Sequence, residues 1–215
     1  MVSTDRIRVR RHPERGRYER AEINAILDEA LFCHVGFVDD GRPFVIPTIH
    51  ARLGDELYLH GSPASRMLRK LAGDVEICVT VTLLDGIVLA RSVYNHSLNY
   101  RSAVVLGRAR KVEDREEKLK ALEAIVEHIV LGRAREARAP SEKELAGTSV
   151  LALAIDEASA KVRTGPPSDF DDDLTLPVWA GVIPLRTVAD EPLTDDHVPQ
   201  EIAVPGYVSD YRRDA

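Results

Sequence analysis

The sequence predicts a mainly β protein, an antiparallel β-barrel accompanied by a few helices. Three observations predict it. Short runs rich in β-branched and aromatic residues follow one another with turn residues between them, instead of alternating with helical segments. Asp40-Gly41, set between two apolar runs, is a strong two-residue hairpin signal. No GxGxxG follows a strand, and no GxxxxGK[ST] loop is present, which argues against doubly wound nucleotide-binding folds.

Each element has its own signal. Residues 18–30 read as a helix, with Ile23, Ile26, Leu27 and Ala30 at helical spacing. LFCHVGFV (31–38) is a strand, and PFVIPTIHARL (43–53) is a second, interrupted at Pro47. A proline there marks an edge strand, or a place where backbone serves something other than strand pairing. Gly54-Asp55 turns the chain into a third strand, ELYLHG (56–61). A short helix over 63–72 follows, with Ser62 as N-cap, Pro63 at its first position and Gly73 closing it. VEICVTVTLLDGIVLA (75–90) is a long strand, and a polar loop (91–102) leads to AVVLGRARKV (103–112). Residues 114–131 form the best helix, with Leu119, Leu122, Val126 and Ile129 as its apolar stripe, Asp114 and Glu117 as a capping box and Gly132 as its stop. A charged connector (133–147) precedes one last long strand, 148–165. The expected organisation is a basic arm (1–17), one barrel domain (18–165) and an acidic, proline-rich extension (166–215).

Composition narrows the function. With 215 residues, 44% hydrophobic and 30% charged, the chain is of ordinary globular character. Its net charge of −6 argues against a general nucleic-acid binder. No apolar run approaches the ~20 residues of a membrane span, and the polar, basic start has no apolar core of a secretory signal, so the expected location is the cytoplasm. Cys33 and Cys78 sit inside apolar runs and read as buried thiols; no metal-ligand spacing occurs. Charge is uneven: residues 1–20 hold seven arginines against three acids, and residues 165–215 hold three arginines against eleven acids. The two ends are either separately solvated or lie near each other, across a dimer for example.

The most informative segment is LHGSPASRMLRKL (59–71). A helix start offers free N–H groups and a positive dipole end, and Ser62 and Ser65 add hydroxyls. Arg66 in the first turn opposes that dipole by ~0.3–1 kcal/mol, a mismatch that a bound anion would offset. The alternative is a capped helix with an exposed arginine.

This segment resembles the phosphate-gripping part of the FMN-binding split-barrel superfamily, in its pyridoxamine 5'-phosphate oxidase-related, nitroimidazole-resistance-like branch. FVIPTIH (44–50) and NYRSAVVLGRA (99–109) are similar to two further stretches of that family, and KVRTGPPSDFDDDLTLPVWAGVIPL (161–185) to its C-terminal extension. The resemblance implies an antiparallel split β-barrel and an FMN phosphate held by His60, Gly61, Ser62, Ser65 and Arg66. It implies a flavin ring laid against Val45, Ile46, Pro47 and Thr48, with Arg101 and Ser102 meeting the flavin. It also implies a homodimer with the site at the interface. Trp179, the only tryptophan, is then a candidate cover for the flavin or the substrate mouth, Arg163 a weaker cofactor contact, and His96 a candidate proton donor or anion ligand. The chain ends VPGYVSDYRRDA, without the Arg- and His-bearing segment that holds pyridoxal phosphate in authentic pyridoxamine phosphate oxidases, so no vitamin B6 substrate is assigned. The implied activity is an FMN-dependent oxidoreductase acting on a small molecule, nitro-group reduction being one possible chemistry. Rival readings are a flavin store or redox sensor, the same barrel holding F420 or haem, and a structural dimer with an empty cleft.

Overall fold

The computed structural model describes residues 4–212. After a 3-10 turn at Pro13–Arg15, the strands are β1 (Gly16–Arg17), β2 (Phe32–Asp39), β3 (Arg42–Leu53), β4 (Glu56–Gly61), β5 (Glu76–Leu89), β6 (Ser97–Arg108), β7 (Arg110–Lys111), β8 (Ser149–Ala154), β9 (Glu157–Arg163) and β10 (Gly181–Pro184). The helices are α1 (Arg20–Glu29), α2 (Arg66–Leu71), α3 (Arg115–Ile129), α4 (Glu142–Ala146) and α5 (Gly206–Ser209). The strands lie in the order β1-β9-β6-β5-β2-β3-β4-β8-β7, with β10 added to β5. Every strand pair is antiparallel. Because β7 continues β6 one residue on and pairs with β8, the order closes on itself, as a barrel requires.

The β2–β3 hairpin forms at Asp40-Gly41, whose φ values of 50° and 74° are the left-handed pair that a two-residue turn of matching twist demands. Inward-facing residues then line up from strand to strand. Cys33, Val35, Val79, Val81, Ala103, Val105, Leu151 and Leu153 fill the interior, closed by Ile23, Ile26 and Leu27 of α1 and by Met67, Leu68 and Leu71 of α2. Burial pushes the Cys33 thiol up to about 12, in keeping with its role as a small apolar filler. A second cluster, Tyr58, Val112, Ala121, Val150 and Ala152, seats α3 on the outside of β4 and β8. The Tyr58 hydroxyl lies 2.9 Å from Glu56 and 2.9 Å from Glu117, and Arg110 bridges the same two carboxylates, fixing α3 to the barrel.

Several sequence expectations are corrected. β3 is not interrupted at Pro47. It runs unbroken and changes partner, pairing with β2 through Ile49 and with β4 from His50. Along 42–49 its other side carries no strand among the described residues, so the missing N–H of Pro47 costs no ladder bond there. β6 begins at Ser97, not 103, because the long β5 pairs with it as far as Val88 and a register shift between Leu84 and Gly86 keeps the polar stretch in the ladder. The last expected strand is two: the chain bends at Ile155, whose N–H donates to Asp55 O, and moves from β4 to β6. The charged connector holds a 3-10 turn at Arg133–Arg135 and α4, which has a full capping box between Ser141 and Glu144. On α3 the most buried residues are Ala121 and Ile125, while Leu119, Leu122, Val126 and Ile129 are half-buried; small Ala121 lets the helix approach the sheet closely. Asp114 accepts from the Glu117 N–H, but the Glu117 carboxylate goes to Arg110 and Tyr58, so only half of that capping box forms. The basic arm meets the barrel's own acids: Arg6 pairs with Glu76 and Glu157, Arg17 with Glu22. The tail's acid is engaged by Arg91, through Asp169.

Candidate functional site

The site is built where β3 loses its second neighbour. In an edge strand, half of the N–H and C=O groups point away from the sheet. Between Arg42 and Ile49 those groups face the space beside the β4–α2 corner. Alternation then sorts the side chains. Phe44, Ile46 and Thr48 face the interior, where Phe44 stacks on Phe37 with centroids 5.6 Å apart. Val45 and Pro47 face outward, Pro47 opposite His34 and Val45 opposite Gly36.

The corner itself departs from expectation. Ser62 and Pro63 do not start the helix. Ser65 N–H donates to Ser62 O at 2.9 Å and Ala64 N–H to Ser62 Oγ at 3.2 Å, so the serine hydroxyl closes a turn instead of capping a helix. The helix begins at Arg66 with Ser65 as N-cap, and no side chain caps it. Its first-turn N–H groups are therefore left for a ligand or water. Arg66 sits in that first turn, with its guanidinium 5.0 Å from the Phe44 ring centroid. Among the described residues no carboxylate pairs with it. His60, at the end of β4, is half-buried; burial lowers its pKa, and its Nδ1 has no hydrogen-bond partner among the described residues. Beside it, a Cβ at Gly61 would meet Leu68 Cδ2 at 3.3 Å.

The remaining sequence candidates lie elsewhere in the same chain. Arg101 and Ser102 are neighbours in β6 and so point to opposite faces. Arg101 turns inward and is held by Glu29 of α1 and by Asp85 at 2.8 Å, which raises its pKa, Asp85 first. Two carboxylates thus already satisfy its charge. Ser102 faces outward, in register with Thr82 and Lys161, and its hydroxyl donates to Lys161 O at 3.3 Å. It lies three strands from β3, roughly 14 Å at ~4.8 Å per strand. His96 is exposed. Its Nδ1 lies 2.9 Å from Ser92 O, which fixes the tautomer with hydrogen on Nδ1 and leaves Nε2 open. Trp179 is 67% exposed and its ring folds over Gly181, which pairs with Leu89. Both lie near the far end of β5, about eight residues or ~25 Å along the strand from Thr80, the residue opposite His34. Arg163 is buried and hydrogen-bonds Asn99 Oδ1 and Pro166 O, both neutral.

Two features went unread in the sequence. The fully buried His50 packs against His128 with ring centroids 4.9 Å apart; helical spacing carries no sign of that pairing. The outer face of the sheet is also apolar and open: Phe32, Val38, Val45 and Leu84 are each about half exposed or more, with His34 among them in edge contact with Phe32. Strict alternation in β2 and β3 foretold two faces, but not that both would be apolar. A cleft of about 690 Å³ between α1, α3 and α5 is lined by Asp28, Glu127 and Tyr211. There Asp28 pairs with Arg52, and Glu127 accepts from the Gly132 and Ala134 N–H groups.

Known proteins share this fold. Against the flavocytochrome Anf3 from Azotobacter vinelandii the chain is 41% identical over 97% of both chains, with a TM-score of 0.92. Against the FAD and haem binding protein from Mycobacterium smegmatis it is 39% identical over 90% of this chain and 95% of that one, with a TM-score of 0.87. A 5-nitroimidazole antibiotic resistance protein from Bacteroides thetaiotaomicron, so described provisionally, is 28% identical over 68% of this chain and 86% of its own, with a TM-score of 0.57. A search of curated proteins finds no match. The pyridoxamine 5'-phosphate oxidase family matches residues 19–162, from α1 to the end of β9, and the chain belongs to that family of antiparallel split β-barrels.

Proposed function

We propose that this chain is a flavin-binding redox protein that works as a dimer of identical chains. The observation that carries the reading is the corner at Arg66. Among the described residues, a cation with no carboxylate, an uncapped helix start and a half-buried histidine nitrogen without a partner converge beside an unpaired strand edge. A phosphate-tailed flat ring supplies what each of these lacks. Arg66, Ser65 and the first N–H groups of α2 would take the phosphate, with His60, Gly61 and Ser62 around it. The backbone of Val45, Ile46, Pro47 and Thr48 would meet the polar edge of the ring. The flavin supplies hydride or electron transfer, and the protein supplies orientation and electrostatics.

The dimer follows from the scatter of the other candidates. Ser102, His96 and Trp179 cannot reach their own chain's Arg66 corner, but the open apolar face between the groups suits a second copy. An isologous contact there would bring one protomer's Ser102 and extension to its partner's β3. Arg101 then acts from beneath, as a strut between α1 and β6.

FMN is the flavin that the family resemblance implies, and the corner would hold the phosphate of FMN or FAD alike. FAD is the form we favour, because the FAD-binding relative covers 90% of this chain at 39% identity. Haem is a second group supported by both long relatives, whose descriptions name a flavocytochrome and a haem binder. His34, in edge contact with Phe32, opposite Pro47 and without a hydrogen bond among the described residues, is the histidine whose setting best suits an iron ligand. The visible spectrum of the purified protein, before and after adding flavin, tests the reading. Flavin bands near the usual two maxima support it, chromatography of the released flavin separates FMN from FAD, and a sharp Soret band lost in His34→Ala supports the haem. A colourless protein that takes up neither FMN nor FAD overturns the proposal. Reduction of small electron acceptors by the loaded protein, slowed in His96→Ala, would separate an oxidoreductase from a flavin store.

A further inference from the structure

The basic arm borders a groove apart from the Arg66 corner. Thr4 Oγ1 donates to Glu157, Ile7 is buried, and Val9 N–H donates to the Tyr18 hydroxyl at 2.9 Å, so the arm is laid down along the sheet. The left-handed turn at His12 (φ 58°) then brings the chain back to pair with β9 as β1. Between the arm and the outer side of β6 and β9 lies a groove of about 300 Å³, lined by Arg6, Arg8, Arg10 and Arg11 with Ser102, Ser159 and Lys161.

The charges in this groove do not balance. Arg6 is held by Glu76 and Glu157, and Arg10 by Asp5. Arg8, Arg11 and Lys161 have no carboxylate partner among the described residues, although the protein as a whole carries a net charge of −6. The neighbouring end of β9 adds to the imbalance. Arg163 there is 6% exposed and bonded only to neutral acceptors, and its pKa is lowered by burial and by nearby Arg15. Like charges gathered around one concavity repel each other, and a bound anion would relieve that repulsion. The volume is at the small end for ligand pockets, enough for one or two phosphate groups. No aromatic side chain lines it, so it has no platform for nucleobases.

We propose that the arm groove is a binding site for a phosphate-bearing small anion, of pyrophosphate size. Arg8, Arg11 and Lys161 supply the charge, and Ser159 lines the groove beside them. The site stands on its own observations and does not depend on the flavin reading. The arm, which closes the groove, is itself part of the binding surface.

Calorimetric titration of the purified full-length protein with inorganic pyrophosphate, at low and at moderate salt, tests this. With excess FMN present to fill the Arg66 corner, the expected result is one pyrophosphate per chain, weakened at least tenfold in Arg8→Gln/Arg11→Gln and in Lys161→Gln, and one such groove-bound pyrophosphate retained in Arg66→Gln. Lys161→Gln changes a strand side chain on the surface and leaves the arm's anchors Thr4 and Ile7 in place, so it reads the site without disturbing the arm. No heat of binding, or binding that survives both groove variants, overturns the proposal. So does binding lost in Arg66→Gln alone, which would place the anion at the other corner. A single-stranded oligonucleotide bound more tightly than pyrophosphate would overturn the small-anion assignment.

Discussion

Replacing Arg66 by Gln separates binding from folding. In the free protein two effects oppose each other. The guanidinium over Phe44 at 5.0 Å is an exposed cation–π contact, contributing about 0.5–1 kcal/mol. The same charge in the first turn of α2 opposes the helix dipole, at a cost of about 0.3–1 kcal/mol. These nearly cancel, and no carboxylate is left unpaired, so the urea midpoint of the flavin-free protein should move little. Flavin affinity should not escape so lightly. A charge-assisted hydrogen bond to phosphate contributes about 1.5–3 kcal/mol, which at ~1.4 kcal/mol per decade is a loss of about 10- to 100-fold. Fluorescence quenching during titration with FMN and with FAD reads the affinity, and urea unfolding of the flavin-free protein reads the stability. An affinity within twofold of the parent, or a stability loss of several kcal/mol without ligand, would refute the phosphate clamp.

Other outcomes follow from the same structure. Val45→Asp places a charge on the open apolar face and should shift the sedimentation mass from dimer to monomer; an unchanged mass would place the interface elsewhere. Arg101→Ala leaves Glu29 and Asp85 facing each other without their cation and should cost about 1–3 kcal/mol in urea unfolding. Leu27→Ala, in the centre of the core, should cost about 2–5 kcal/mol. Glu117 is held below the usual carboxylate range, first by Arg110 and then by Tyr58. Because its folded value is depressed, its contribution is present above its ordinary value, about 4.3, and is lost as pH falls through the lowered one. The fall in urea midpoint below that pH should be shallower in Glu117→Gln, and an identical slope would remove Glu117 from the acid response.

What the amino-acid sequence determined on its own is local. The Asp40-Gly41 hairpin, the apolar spacing of α1 and the Asp114 start of α3 depend on neighbours within a few residues, and each stands where the sequence places it. The family resemblance reached further, to the antiparallel split barrel. Tertiary structure decided the rest, because long-range pairing overrides local preference. It carried β3 through Pro47, drew the polar residues 97–102 into a strand and divided residues 148–165 between two neighbours. The charges show the same division. Sequence marks Arg66 and Arg101 alike as cations near a polar segment. Only the folded chain sets Arg101 between two carboxylates and leaves Arg66 with none among the described residues, since a partner's distance depends on which strands meet.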